Sequence, residues 1–107
     1  MGNVTVLPLI EMHRGDIAEL CRRFHVSRLE VFGSAARVLD FDPTRSDVDL
    51  LVSYHPGHQP GIAAHQDLRD ALEVLLGRPV DLVMEAAVEN PFIRAGIDRS
   101  RQSIYAA

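Results

Sequence analysis

The sequence predicts an α/β fold in which helices pack on a small β-sheet. Short runs rich in branched and aromatic residues, typical of strands, alternate with longer segments whose apolar residues recur at helical intervals. The predicted strands cover residues 28–33, 47–53 and 79–84, and a further edge strand covers 103–105. Their order and direction stay open at this level.

Sequence periodicity and turn residues predict one helix before the first strand and two more between later strands. Residues 9–24 carry an amphipathic pattern, and residues 62–76 carry a second one that ends at Gly77. Asn90 and Pro91 open the third helix, with proline at its first position. The alternation of strands and helices continues along the whole chain, without a repeat or a linker. A single domain over residues 1–107 is therefore expected.

Composition narrows the class of protein. The 107 residues are 47% hydrophobic and 24% charged, which is typical of a globular domain. No apolar run approaches the roughly 20 residues that cross a bilayer, and the N-terminus lacks the pattern of a secretion signal. The single cysteine, Cys21, cannot form an intrachain disulfide. We therefore expect a cytoplasmic protein with no membrane contact.

Charge excludes further functions. The formal net charge of −4 argues against direct binding of nucleic acid, because such domains are usually basic. All 11 basic residues are arginine. Mechanisms that need a lysine nucleophile or a phosphate-loop lysine are thereby excluded.

Three aspartates lie in or beside predicted strands, where aspartate is depleted. Asp47 and Asp49 lie two residues apart and so project from one face, about 7 Å from each other. Asp81 lies in the middle of another apolar run. If the two strands are neighbours, the three carboxylates converge, and each pair repels by roughly 2 to 4 kcal/mol. Oxygen ligands of this kind suit two Mg²⁺ ions, with Mn²⁺ as an alternative. In the other interpretation, Asp47 is a helix or turn cap and Asp49 is an edge-strand charge that faces water.

Gly33 and Ser34 follow the first predicted strand and are expected to begin a helix. Unpaired N–H groups at a helix start bind phosphate, and the Ser34 hydroxyl would add a donor. Arg37 lies three residues further on, on the same face of that helix. The alternative interpretation is an ordinary turn in which Ser34 is only a cap.

The order and spacing of these motifs resemble the minimal nucleotidyltransferases of the DNA polymerase beta superfamily. The resemblance covers most of the chain and implies a small mixed sheet flanked by helices, as in the polymerase palm. It is carried by Phe32-Gly33-Ser34-Ala35-Ala36-Arg37, by Ser46-Asp47-Val48-Asp49 and by Val80-Asp81-Leu82-Val83. Val38 and Leu39 depart from the family, which commonly has glycine after the motif arginine.

The resemblance also implies the site. Asp47, Asp49 and Asp81 would be the catalytic metal ligands, with Asp81 as candidate general base. The resemblance further implies a binding site for the nucleotide triphosphate. Its residues come from the glycine–serine motif and from the start of the aspartate motif, namely Gly33, Ser34, Arg37 and Ser46.

Function follows from the same resemblance. It implies transfer of AMP from ATP to a hydroxyl, expected to be a tyrosine of a HEPN-domain ribonuclease toxin, by an antitoxin that forms a hetero-oligomer with it. Two alternatives stay open. One is a non-catalytic antitoxin that blocks its partner by binding, and the other is a nucleotidyltransferase acting on a small molecule such as an aminoglycoside.

Other titratable groups are given structural interpretations. His55, His58 and His65 are expected in a solvated loop rather than in a zinc site, because two further ligands are not evident. Cys21 is expected to be a small buried hydrophobe. A solvated face, or in the alternative a surface that docks a partner, is expected for three arginines near the C-terminus, namely Arg94, Arg99 and Arg101.

Overall fold

Four strands form a mixed sheet in the computed structural model, which describes residues 8–33, 48–58 and 60–107. Their order across the sheet is β3-β2-β1-β4; β2 and β3 are parallel, whereas β1 is antiparallel to both of its neighbours. The strands are β1 (Val26–Phe32), β2 (Val48–Tyr54), β3 (Val80–Met84) and β4 (Gln102–Ala106). The predicted fold class, a small mixed sheet flanked by helices, is confirmed.

Helices cover both faces of this sheet. They are α1 (Pro8–Met12), α2 (Arg14–Arg23), α3 (Ile62–Leu76) and α4 (Pro91–Ser100), and a single 3₁₀ turn, Glu85–Ala87, follows β3. Within the described ranges, no helix has the length and apolar character that would carry it across a membrane.

The first predicted helix, over residues 9–24, is interrupted at His13, so that two helices, α1 and α2, stand in its place. The His13 N–H donates to the carbonyl of Ile10 at 3.1 Å, a tight turn that ends α1. Arg14 then begins α2, and its guanidinium donates to the Ile104 carbonyl on β4 at 2.7 Å. This contact with the sheet is invisible to helical periodicity.

The main core lies between one face of the sheet and helices α2 and α3. Alternate strand residues such as Val31, Leu50 and Val52 are buried there, opposite Leu68 and Leu72 of α3. Burying each such aliphatic side chain contributes about 1.5 to 3 kcal/mol, so this face stabilises the domain. Cys21, on α2, is also fully buried in this core, as predicted.

Helix α4 lies against β1 on the second face of the sheet. The Asn90 side chain caps it, accepting from the N–H groups of Phe92 and Ile93 at 2.8 and 3.3 Å. Its apolar side buries Ile97, and Leu51 on β2 is likewise a buried apolar residue outside the main core. The rest of the second face is polar and carries the candidate site.

Candidate active site

Asp49 and Asp81 are direct partners across the parallel strands β2 and β3. Paired strands lie about 4.8 Å apart, and partners in register project from the same face. That face is the one opposite the main core, because Leu50 and Leu82, the next pair, are buried on the core side. Asp49 is half-buried and Asp81 is exposed. The fold therefore places two carboxylates side by side on a surface open to solvent.

Gly33 closes over the Asp49 carboxylate. It directly follows Phe32, which pairs with Asp49 across the antiparallel strands. Its φ angle of +71° lies in the left-handed region, and a Cβ atom built on it would come within 2.7 Å of Asp49 Oδ2. A side chain is excluded both by backbone conformation and by space. The turn thus brings a bare backbone against the carboxylate.

Ser100, the last residue of α4, is hydrogen-bonded to the backbone of this turn. Its hydroxyl accepts a hydrogen bond from the Gly33 N–H at 3.0 Å and lies 3.3 Å from the Gly96 carbonyl one helical turn earlier, to which it donates. Only 7% of Ser100 is exposed. The last residue of α4 therefore fixes the backbone at the start of the predicted phosphate turn. Sequence reasoning missed Ser100, because nothing local links it to a residue 67 positions away.

Beneath α4, a network of charges holds the helix on the second face. The Arg101 Nε donates to Glu30 at 3.0 Å, and its Nη2 donates to Glu85 at 3.1 Å. The Ser53 hydroxyl donates to the other oxygen of Glu85 at 2.8 Å. Although burial opposes it, these hydrogen bonds from Ser53 and Arg101 lower the pKa of Glu85. Strands β1 and β2, the end of β3 and α4 are thereby joined next to Ser100.

The predicted solvated face of arginines is wrong for Arg101 and Arg94. The Arg101 side chain is 19% exposed and lies in the charge network. Arg94 donates to the backbone carbonyls of Glu85 and Val88 at 3.0 and 3.1 Å. The carboxylate of Glu30, which Arg101 meets, lies 71 residues away along the chain, so sequence patterns could not show this contact. Arg99, by contrast, is exposed.

A cleft of about 320 Å³ lies beside Gly33, between the end of β1 and α4. Phe32, Ile93 and Ile97 form its apolar wall, and Arg99 contributes a cation. The aliphatic side chain of Ile93 is 58% exposed at the mouth. This concave surface adjoins the turn where a phosphate group is expected.

The remaining predicted site residues, Ser34, Arg37, Ser46 and Asp47, lie outside the described residues. Their expected roles as nucleotide and metal ligands stay predictions. Of the predicted site residues, the structure describes Gly33, Asp49 and Asp81, and it brings these three together.

The histidines differ in part from their expected place in a solvated loop. His65 lies in α3, where its Nδ1 is 2.9 Å from the Tyr54 hydroxyl and its Nε2 is 3.0 Å from the Leu82 carbonyl. The ring of His58 stacks on that of His25 with centroids 4.4 Å apart. In the described part of the chain, no three metal-ligating side chains come together, and the His-x-x-His spacing forms no zinc site there.

A divalent cation such as Mg²⁺ requires converging oxygen donors. Asp49 and Asp81 supply carboxylate oxygens from adjacent strands, and like charges placed opposite each other destabilise a strand pair. The glycine cradle leaves Asp49 Oδ2 room that a Cβ would fill. Hard oxygen donors of this kind fit Mg²⁺ or Mn²⁺.

Comparison with known proteins agrees with this geometry. MJ0128, a proposed protein adenylyltransferase of Methanocaldococcus jannaschii, is 35% identical over 90 residues, covering 84% of this chain and 85% of the relative. The solved structure of a proposed minimal nucleotidyltransferase superposes with a TM-score of 0.71 at 33% identity, covering 94% and 98% of the two chains.

A more distant likeness shows the fold alone. A chain in the complex of the tri-AMPylated Shewanella oneidensis HEPN toxin with MNT antitoxin superposes with a TM-score of 0.65 at 18% identity, covering 92% of this chain and 73% of the other. The model of the nucleotidyltransferase domain matches residues 16–104, which include β1, β2, β3 and the first three residues of β4. The chain therefore belongs to the nucleotidyltransferase domain family.

Proposed function

We propose that this chain is a metal-dependent protein adenylyltransferase and an antitoxin, which transfers AMP from ATP to a tyrosine hydroxyl of a HEPN-type ribonuclease toxin. The observation that carries the proposal is the pairing of Asp49 with Asp81 in register, on an open face and against the bare backbone of Gly33. Family membership supports nucleotidyl transfer as the reaction. The relative named for protein adenylylation supports a protein acceptor.

The proposed chemistry assigns a part to each group. Asp47, Asp49 and Asp81 would hold two Mg²⁺ ions, which would supply charge stabilisation for the transferring phosphoryl group. Gly33 and Ser34 would bind the triphosphate, together with Arg37 and Ser46. The acceptor oxygen forms a bond to the α-phosphorus while the bond to the β-phosphate breaks, and pyrophosphate leaves. Asp81 takes the proton of the acceptor hydroxyl.

The position of Asp81 supports a large acceptor. It is exposed on β3, which is an edge strand of the described sheet, whereas Asp49 lies half-buried in the interior strand β2. A hydroxyl carried by another protein can therefore approach Asp81 from the open face of the sheet. The adenylate placed on that hydroxyl adds bulk and negative charge, which would silence a nearby ribonuclease site.

The test is the mass of the partner. Incubation of the neighbouring gene's product with this chain, ATP and Mg²⁺ should add about 329 Da to that product for each AMP, the mass of a transferred adenylate. Asp81→Asn should abolish the addition and keep the fold, since it removes one charge from a repelling pair. Asp67→Asn, at an exposed acid on α3, is the matched control and should transfer normally.

Three results would contradict the proposal in different ways. Full neutralisation of the toxin by Asp81→Asn, with no mass added by either protein, would identify a blocker that acts by binding alone. Nucleotide transfer to an aminoglycoside without any protein partner would identify a small-molecule enzyme. Transfer to the toxin by Asp81→Asn at the parent rate would remove Asp81 from the mechanism.

A further inference from the structure

The outer edge of β3 is the feature from which the inference starts. The Val80 N–H and the Leu82 carbonyl, on either side of Asp81, are bonded away from β2, so these backbone groups face outward from the sheet. Backbone groups at an edge need partners, because an unpaired N–H or carbonyl that loses water is costly. The partners here are side chains of α3.

Two hydrogen bonds from α3 hold the peptide groups on either side of Asp81. The Val80 N–H donates to Glu73 Oε2 at 2.9 Å. On the other side, His65 Nε2 lies 3.0 Å from the Leu82 carbonyl oxygen, which can only accept, so the ring nitrogen donates. The strand is thus held immediately before and immediately after the aspartate.

Tyr54 completes the orientation of His65. With Nε2 carrying the proton, the neutral ring has an acceptor at Nδ1, and the Tyr54 hydroxyl donates to it at 2.9 Å. Tyr54 ends β2, the strand that carries Asp49. The histidine therefore links both aspartate strands to α3.

The two side chains belong to a polar stripe on α3. His65, Arg69 and Glu73 recur every four residues and so share one side of the helix. Next to them, Leu68 and Leu72 recur in the same rhythm and are fully buried in the core. The apolar stripe packs α3 on the sheet. In the polar stripe, the first and last residues, His65 and Glu73, bind the edge of β3.

We propose that His65 and Glu73 are positioning residues for Asp81, holding its carboxylate at the separation from Asp49 that a shared divalent cation requires. This inference rests on the proposed function, because it takes Asp49 and Asp81 as metal ligands. A metal site tolerates errors of only about 0.5 Å in the placement of its ligands. Groups that orient ligands typically change metal affinity 10-fold to 100-fold when removed.

The experiment compares Mn²⁺ binding by variants that remove or keep each hydrogen bond. His65→Ala removes the donor and Glu73→Ala removes the acceptor. His65→Gln and Glu73→Gln keep an N–H donor and an oxygen acceptor in nearly the same places. Mn²⁺ is titrated in the presence of a non-hydrolysable ATP analogue and followed by electron paramagnetic resonance, so that the readout does not depend on turnover.

A stability control separates positioning from folding. Ile104→Val trims a buried side chain on β4, the strand at the opposite edge of the sheet. It should lower the melting temperature without changing the Kd for Mn²⁺. Each alanine variant should raise that Kd about 10-fold, and each glutamine variant, which keeps the hydrogen bond, should bind Mn²⁺ more tightly than its alanine counterpart.

The outcomes distinguish the inference from the function beneath it. Parent-like Mn²⁺ affinity in both folded alanine variants overturns the positioning role and leaves the proposed metal site standing. Equal weakening by Ile104→Val also overturns it, since general loss of stability would then explain the effect. If the parent itself binds no Mn²⁺, the metal site fails and the inference fails with it. His65→Ala and Glu73→Ala remove hydrogen bonds on opposite sides of Asp81, so if one variant does not fold, the Mn²⁺ affinity of the other decides.

Discussion

Gly33→Ala tests the close approach of the turn to Asp49. The left-handed backbone costs an L-residue about 1 to 2 kcal/mol. The added Cβ would lie 2.7 Å from Asp49 Oδ2, and overpacking of this kind costs about 1 to 3 kcal/mol unless the carboxylate moves. The expected loss in the free energy of unfolding is therefore about 2 to 5 kcal/mol if Asp49 stays in place. If Asp49 rotates away instead, stability is partly recovered and the cation site is disturbed.

The chain contains a matched control for the backbone part of this effect. Gly77 has a φ angle of +67°, close to that of Gly33, but a Cβ built on it meets nothing within 4 Å. Gly77→Ala should therefore lose about 1 to 2 kcal/mol from conformation alone. The difference between the two variants isolates the contact with Asp49.

Urea unfolding of both variants measures this difference, and Mn²⁺ titration of the folded proteins shows where the carboxylate went. We expect Gly33→Ala to lose more stability than Gly77→Ala, to bind Mn²⁺ more weakly, or both. Equal losses of stability together with parent-like Mn²⁺ affinity would refute the reasoning. The glycine would then be only a turn residue.

Other predictions concern the second face and the core. Ser100→Ala leaves the Gly33 N–H without its acceptor and should cost about 1 to 3 kcal/mol in urea unfolding; no loss would show that water replaces the hydroxyl. Arg101→Met leaves the carboxylate of Glu30, which is 8% exposed, without its cation and should lower the free energy of unfolding by about 3 kcal/mol. A more stable variant would contradict this. The pKa of Glu85 is lower in the folded protein than its usual value of 4.5. The ionised side chain therefore adds to the free energy of unfolding above pH 4.5, and this contribution should be lost as the pH falls through the pKa of the folded state. Burial raises the pKa of the Cys21 thiol to about 12, so native protein at pH 8 should resist a thiol reagent that labels the unfolded chain.

Local patterns predicted most of the elements. The alternation in Val48, Leu50 and Val52 defines β2, and the observed strand ends at Tyr54, one residue past its predicted end. The spacing of leucines defines α3, whose end at Gly77 follows from a left-handed cap. These features depend on neighbours in the chain, so periodicity and turn chemistry suffice to find them. Periodicity did not predict the break between α1 and α2, because the break coincides with a contact between Arg14 and the distant strand β4.

The candidate site was predictable only in part. The sequence singles out Asp49 and Asp81 because acids are rare inside strands, and it singles out Gly33 because the chain must turn there. Their juxtaposition was conditional on strand order, which a single sequence does not contain. Ser34, Arg37, Ser46 and Asp47 remain predictions.

By itself, the sequence determined which residues could carry the chemistry and on which kind of element each lies. The tertiary structure alone decided that β2 and β3 are parallel neighbours in register, which places Asp49 beside Asp81. It also decided that Ser100 reaches the Gly33 turn from 67 residues away and that α3 holds both sides of Asp81. The physical reason is that strand pairing and hydrogen bonds between distant segments depend on how the whole chain packs, whereas periodicity reports only local burial.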